Sequence, residues 1–121
     1  MVDPFDNSHS VLYKGQGFSL EQSYDFVRWL KKLRDREGRL RILKRLRRLS
    51  DGQFGDCQPV GEGVHELRMF FGPGYRVYFA QRGGTVILLL GGGDKDGQAG
   101  DIARAKALAK EFGLASEDET L

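Results

Sequence analysis

The spacing of hydrophobic residues divides the chain into a helical first half and a stranded second half. Between residues 20 and 33 apolar side chains recur every three or four positions, and Ser19 with Gln22 forms a capping-box pair. This pattern predicts a helix from Ser19 to about Arg34. A second apolar stripe predicts another helix from about Glu37, which the turn residues beginning at Ser50 end. Two neighbouring helices with a short connection form a helical hairpin.

After the second helix the hydrophobic pattern changes to the alternation of strands. Segments between glycine-rich turns predict strands at 58–60, 64–71, 75–81 and 85–90, and a short strand is predicted at 11–13. A last helix is predicted at 101–112, ended by Gly113. The expected fold is therefore α+β: an N-terminal helical hairpin packed on a twisted antiparallel sheet of about four strands, with a C-terminal helix.

The length of 121 residues allows one domain with one core. We expect residues 1–18 to form an N-terminal extension, residues 19–113 the domain, and residues 114–121 an acidic tail. Cys57 is the single cysteine, so an intrachain disulfide is excluded. The start of the chain lacks the pattern of a signal peptide, and the longest apolar run, residues 86–90, is too short to span a membrane. These features predict a cytoplasmic protein that does not associate with membranes.

Positive charge is concentrated in the predicted hairpin, although the formal net charge is only +2. Ten lysines and arginines fall between residues 31 and 48, against the two acids Asp35 and Glu37. Few acids lie four residues away to pair with these cations, so the charge is available to a polyanion such as RNA. The alternative is an ordinary solvated helix face. The candidate RNA-binding residues on the second helix are Arg39, Arg41, Lys44, Arg45, Arg47 and Arg48.

The residues that commonly hold metals and cofactors are scarce. Two histidines and one cysteine do not make a convincing zinc site, and no calcium-loop spacing occurs. The run from Gly91 to Lys95 lacks the remaining residues of a phosphate-binding loop. The sequence therefore predicts no metal ion and no cofactor.

One group of polar residues on the predicted strands has the composition of a nuclease site. Glu66 and Arg68 lie two residues apart on one strand and share a face, as do Arg76 and Tyr78 on the next. A hairpin would bring these four together, with Lys95 arriving from the loop after the last strand. RNA cleavage by a ribose 2′-hydroxyl needs a base, cations that neutralise the phosphate, and an acid.

The candidate roles follow from the side-chain chemistry. Glu66 is a plausible base, Arg76 and Arg68 are plausible charge stabilisers, and Lys95 or Tyr78 could serve as the acid. The same residues also match a solvated cross-strand set of charges that only keeps one face of the sheet polar. The pattern alone favours this second interpretation.

Several blocks of sequence resemble a known family. They are FVRWL at 26–30, GQFGD at 52–56, VGEGVHELR at 60–68, GPGYRVYF at 72–79 and LLLGGGDK at 88–95. In this order and at this spacing they are similar to the RelE/ParE toxin superfamily. Within it they resemble the HigB-like, phage-derived branch of addiction-module killer proteins. The resemblance covers about residues 26 to 108.

The resemblance implies the toxin of a type II toxin–antitoxin pair, whose partner is a small antitoxin, usually of the helix-turn-helix type. Many such toxins are endoribonucleases that cut messenger RNA on the ribosome, so messenger and ribosomal RNA are expected partners. The motif around Arg76 matches an arginine that supports cleavage in these relatives, and Arg68 keeps a positive charge found on the preceding strand. Lys95 and Gln98 map onto further active-site positions. No histidine lies near Lys95, where some relatives have one, so the general base stays open.

Two other functions are compatible with the same resemblance. ParE-like relatives poison DNA gyrase without cutting RNA. A third possibility is a non-catalytic binding module of the same fold. The prediction taken forward is a metal-independent, ribosome-dependent endoribonuclease.

Overall fold

The computed structural model describes residues 11–114; residues 1–10 of the predicted N-terminal extension and residues 115–121 of the predicted acidic tail lie outside this range. Within 11–114 there are six strands and three helices. In chain order they are β1 (Val11–Lys14), β2 (Ser19–Gln22), α1 (Tyr24–Lys32), α2 (Arg36–Ser50), β3 (Cys57–Gly61), β4 (Val64–Arg68), β5 (Arg76–Arg82), β6 (Val86–Gly93) and α3 (Gln98–Glu111).

The described strands form one mixed sheet in the order β1-β2-β6-β5-β4-β3. All neighbouring pairs are antiparallel except β2 and β6, which run parallel with Leu20 opposite Ile87. The predicted antiparallel sheet of about four strands is therefore wrong. The predicted N-terminal helical hairpin is also wrong, because β1 and β2 precede both helices and β1 lies inside the segment expected to be an extension.

The first predicted helix begins five residues later than expected. Ser19–Gln22 is a strand because its backbone pairs with the free edge of β6, which buries Leu20 completely. Ser23 is the actual cap of α1: its Oγ accepts a hydrogen bond from the amide of Phe26 at 3.1 Å and donates one to the carbonyl of Leu90, also at 3.1 Å. The cap therefore starts the helix and ties it to the sheet.

Helices cover both faces of the sheet. One face packs under α1 and α2, where Phe26, Ile42, Leu46, Val77 and Phe79 belong to one buried cluster. The other face packs under α3, where alternate strand residues meet the small side chains of Ala105 and Ala109. Burying each large apolar side chain contributes about 1.5–3 kcal/mol, so both layers are held mainly by the hydrophobic effect.

The later elements agree with the sequence pattern. The second helix, the four strands after residue 56 and the last helix are confirmed, with boundaries that shift by a few residues. The turns at both ends of β4 use residues in the left-handed region, among them Glu62 (φ 54) and Gly74 (φ 80). The end of the sheet formed by the β4–β5 loop and the end of β6 carries the predicted site residues.

Candidate nuclease site and neighbouring cleft

Glu66 is a buried carboxylate at the centre of a polar cluster on the α3 side of the sheet. Its side chain has no exposed surface, although glutamate is a residue type that is almost never fully buried unless it is paired. Its Oε2 accepts hydrogen bonds from Gln98 Nε2 at 2.7 Å and from the Tyr78 hydroxyl at 3.2 Å, and its Oε1 accepts one from Gln58 Nε2 at 3.3 Å. Glu66, Gln58, Arg76, Tyr78 and Gln98 are called the Glu66 cluster below. A buried charge is tolerated only when it is paired and hydrogen-bonded in this way.

Arg76 links this cluster to the surface. Its Nε lies 3.4 Å from Glu66 Oε2, which makes an ion pair without hydrogen-bonding geometry, and its Nη1 donates to the carbonyl of Gly74 at 2.7 Å. These contacts leave Nη2 without a partner among residues 11–114. The side chain keeps 12% of its surface exposed. Arg76 is therefore fixed on its inner side and can reach an outside anion on the other.

Tyr78 is completely buried beside Glu66, its direct partner across the β4–β5 ladder. Burial raises the pKa of its hydroxyl well above the usual value, and the negative charge of Glu66 adds to this effect. Gln98 reaches the cluster from the first turn of α3 and so holds that helix over Glu66. In this conformation neither Glu66 nor Tyr78 lies on an open surface.

Arg68 and Lys95 lie at the same end of the sheet. Arg68 is opposite Arg76 on the ladder, and its guanidinium pairs with Asp56 at 3.0 Å; this hydrogen bond raises the pKa of Arg68. Lys95 is exposed, and its backbone amide donates to the carbonyl of Pro73 at 3.4 Å, next to the loop that precedes Arg76. The predicted residues thus lie at one end of the sheet, but in two groups. Glu66, Tyr78 and Gln98 belong to the buried cluster, and Arg68 and Lys95 form a more exposed group, called the cationic rim below.

The basic residues of α2 have two different environments. Arg45 donates from Nη1 to the carbonyl of Arg68 at 2.7 Å and from Nη2 to the carbonyls of Phe54 and Asp56 at 3.1 and 3.2 Å. It therefore holds the 54–56 loop and the end of β4 in place, and its burial lowers the pKa of its guanidinium. The other candidates, Arg39, Arg41, Lys44, Arg47 and Arg48, are exposed or half-buried.

One exposed aromatic residue beside the cationic rim, Phe70, is not among the residues that the sequence predicts for the site. Phe70 is 81% exposed and lies 5.9 Å from the Arg68 guanidinium, and Arg41 covers the Phe71 ring at 4.1 Å. Aromatic rings next to arginines can stack on unpaired bases. The available signal was the pair of adjacent phenylalanines at the end of an alternating strand, because one of them had to leave the core.

A second feature at this end is a cleft of about 580 Å³ between α1, the end of β6 and α3. It is lined by Asp25, Arg28, Trp29, Lys32, Leu90, Gly91, Gly92, Gly93, Asp94, Asp101, Arg104 and Ala105. None of the Glu66 cluster lines it. This set is called the glycine cleft below.

No helix within 11–114 has the length and apolar character needed to cross a membrane. Over the same residues, no three His, Cys, Asp or Glu side chains are grouped to hold a metal ion.

Comparison with known proteins gives one relative of high similarity. An uncharacterized protein of Haemophilus influenzae is 43% identical over 95 residues, which cover 78% of this chain and 96% of that protein. The chain belongs to the family of this protein. No model of a protein family matches the chain, and no solved structure matches it. Because the relative is itself described as uncharacterized, membership of its family carries no activity with it.

Proposed function

We propose that the chain is the toxin of a type II toxin–antitoxin pair and cleaves messenger RNA on the ribosome, in the cytoplasm and without a metal ion. The observation that carries this proposal is Arg76, which an ion pair with the buried Glu66 holds at the surface beside Arg68 and Lys95. The proposal is also supported by the sequence blocks between residues 26 and 95, which resemble the RelE/ParE toxin superfamily in their order and spacing.

The proposed reaction needs no group from outside the protein and RNA. The ribose 2′-oxygen attacks the adjacent phosphorus and loses its proton to a base, while the bond from phosphorus to the 5′-oxygen breaks and that oxygen gains a proton. The products carry a 2′,3′-cyclic phosphate and a 5′-hydroxyl. Arg76 stabilises the negative charge that builds on the phosphate through its Nη2, which has no partner within residues 11–114.

The structure supports different roles for the other predicted residues. Glu66 fixes the Arg76 side chain, and it can take the 2′-hydroxyl proton only in a conformation in which α3 has moved away from it. Lys95 is exposed next to the loop that precedes Arg76, and we assign it the role of the acid. Arg68 adds positive charge from the ladder position opposite Arg76.

Binding of RNA is assigned to the exposed cations of α2 and to Phe70. The cations neutralise phosphates irrespective of sequence, and the exposed Phe70 ring supplies a stacking surface for an unpaired base close to Arg68. Arg45 is excluded from this role because its guanidinium is committed to three backbone carbonyls. The proposed protein partner is a small helix-turn-helix antitoxin that neutralises the toxin.

The test is induced expression of the chain without an antitoxin, comparing the wild type with Arg76→Ala. Wild-type expression is expected to stop growth and Arg76→Ala to restore it, at equal protein levels. Lys110→Ala is the control, since Lys110 is an exposed residue near the other end of α3, and it should remain toxic. Full toxicity of Arg76→Ala would contradict the assignment of the site. Growth arrest with intact messenger RNA would point to gyrase instead.

A further inference from the structure

The glycine cleft carries charges that the protein does not pair with each other. Three cations, Arg28, Lys32 and Arg104, and three carboxylates, Asp25, Asp94 and Asp101, line it. No ion pair joins any of the six to another residue within 11–114. Its volume lies inside the range of roughly 300–1,000 Å³ that is typical of small-molecule sites. Charges of both signs that form no ion pair within residues 11–114 surround one concave space, which suits a ligand with both anionic and hydrogen-bond-donating groups.

The glycine floor of the cleft is covered at one position and open at another. Three consecutive glycines at the end of β6 supply the floor, and Trp29 supplies a wall. A Cβ on Gly92 would lie 2.4 Å from the Trp29 ring, so the ring packs directly on the strand backbone. A Cβ on Gly91 would meet no atom within 4 Å, so the space above this residue is open. Glycine in a strand commonly marks such a close approach of a ligand or another backbone.

The carboxylates differ in how much the protein already uses them. Asp94 Oδ1 accepts hydrogen bonds from the amides of Asp96 and Gly97 at 3.0 and 3.3 Å, so it shapes the turn before α3. Asp101 accepts no side-chain hydrogen bond from residues 11–114 and lies against Gly93. Burial raises the pKa of Asp101, and the positive charge of Arg104 partly offsets this effect.

We propose that the glycine cleft binds a guanosine nucleotide, with the base in the open space over Gly91 on the Asp101 side of the strand and the phosphate at Arg28, Lys32 and Arg104. The Watson–Crick edge of guanine has two neighbouring N–H donors, which match the two oxygens of one carboxylate, here Asp101. Adenine presents one donor beside a ring acceptor, which a carboxylate repels. The three cations match a phosphate group.

The experiment is calorimetric titration of the purified chain with GMP, AMP and inorganic phosphate, together with short single-stranded RNAs that contain or lack guanosine. GMP is expected to bind at least tenfold more tightly than AMP, and phosphate more weakly than either. Tighter binding of the guanosine-containing RNA than of GMP would identify RNA as the source of the nucleotide. Equal affinity for GMP and for the guanosine-containing RNA would identify the free nucleotide as the ligand. Either result supports the proposed site.

Two variants distinguish specific binding of guanosine in the cleft from non-specific binding of anions by its exposed cations. Asp101→Asn should weaken GMP binding at least tenfold without weakening phosphate binding. Gly91→Val should block GMP without destabilising the fold, because its side chain enters open space. Gly84→Val is the matched control, since Gly84 lies in the turn between β5 and β6 and a Cβ there also meets no atom within 4 Å. Similar affinities for GMP, AMP and phosphate, no binding of any guanosine ligand, or GMP binding unaffected by Gly91→Val would overturn the proposal.

Discussion

The two faces of the sheet are covered by helices in the same way but are built on different principles. Under α1 and α2 the buried strand residues are apolar or aromatic, as Val77 and Phe79 illustrate. Under α3 the apolar packing against Ala105 and Ala109 gives way, at one end, to the fully buried Glu66. The first face has no buried carboxylate among the described strand residues, and the second has one with four polar partners.

This difference indicates where function lies in the molecule. A hydrophobic residue on either face needs no explanation beyond packing. A buried carboxylate costs stability unless it is fully paired, and replacement of such groups by apolar residues is often neutral or stabilising. The Glu66 cluster is therefore better explained by what it holds, the partly exposed Arg76, than by a contribution to stability.

The largest expected effect on stability is on the α1/α2 face. Phe79 is nearly fully buried, and its ring stacks with those of Phe54 and His65 at centroid distances of 6.4 and 5.4 Å. Phe79→Ala should lower the free energy of unfolding by about 3–5 kcal/mol, the usual cost of an aromatic-sized cavity. Urea denaturation measures this, and a loss below about 1 kcal/mol would show that this face is not the main packed core.

A smaller effect on stability, with a larger one on activity, is expected on the α3 face. Glu66→Gln keeps the shape of the side chain but removes the negative charge that pairs with Arg76 and turns one acceptor oxygen into a donor. The free energy of unfolding should fall by about 1–3 kcal/mol, while RNA cleavage should fall at least tenfold as Arg76 loses its anchor. Unchanged cleavage by a folded Glu66→Gln protein would contradict the positioning role.

The smallest expected effect concerns pH and Tyr75, the tyrosine buried on the α1/α2 side. Burial and the hydrogen bond to Asp35 Oδ2 at 2.8 Å raise the pKa of Tyr75 from 10.0 to about 12. A raised pKa favours the neutral form in the folded state. Its stabilising contribution is therefore complete below pH 10 and declines as the pH rises towards 12. Tyr75→Phe lacks this contribution.

Urea denaturation of wild type and Tyr75→Phe at a series of pH values checks this sign. The stability difference between them should be constant below pH 10 and narrow between pH 10 and 12. A difference that widens over this interval would mean that the Tyr75 hydroxyl titrates below its ordinary pKa, in conflict with its burial beside Asp35.

Local patterns predicted most of the elements but not the partners that each element meets. The strands after residue 56 and the helix of residues 36–50 were evident because alternation and helical spacing are local signals. Ser19–Gln22 was assigned to a helix because Leu20 continues the stripe of α1. Its real partner is β6, more than sixty residues away in the sequence, and no local pattern encodes that parallel pairing.

The candidate site was likewise predictable in part. Alternation placed Glu66, Arg76 and Tyr78 on one face, and the ladder confirms this placement. It could not show that α3 would cover Glu66, since this depends on the packing of small alanines against a distant face. Nor could it separate Arg45 from Arg48, because three backbone carbonyls brought together by the fold decide that difference.

The most direct test of the central claim is cleavage of a defined messenger RNA by the purified chain on programmed ribosomes, with chemical analysis of the new RNA ends. The account predicts cuts that carry a 2′,3′-cyclic phosphate and a 5′-hydroxyl, and loss of these cuts with Arg76→Ala while Lys110→Ala cuts normally. New ends that carry a 5′-phosphate would contradict this mechanism, and so would cleavage by Arg76→Ala at the wild-type rate. The nuclease function itself would be contradicted if the folded wild-type protein arrested growth without cutting the messenger RNA.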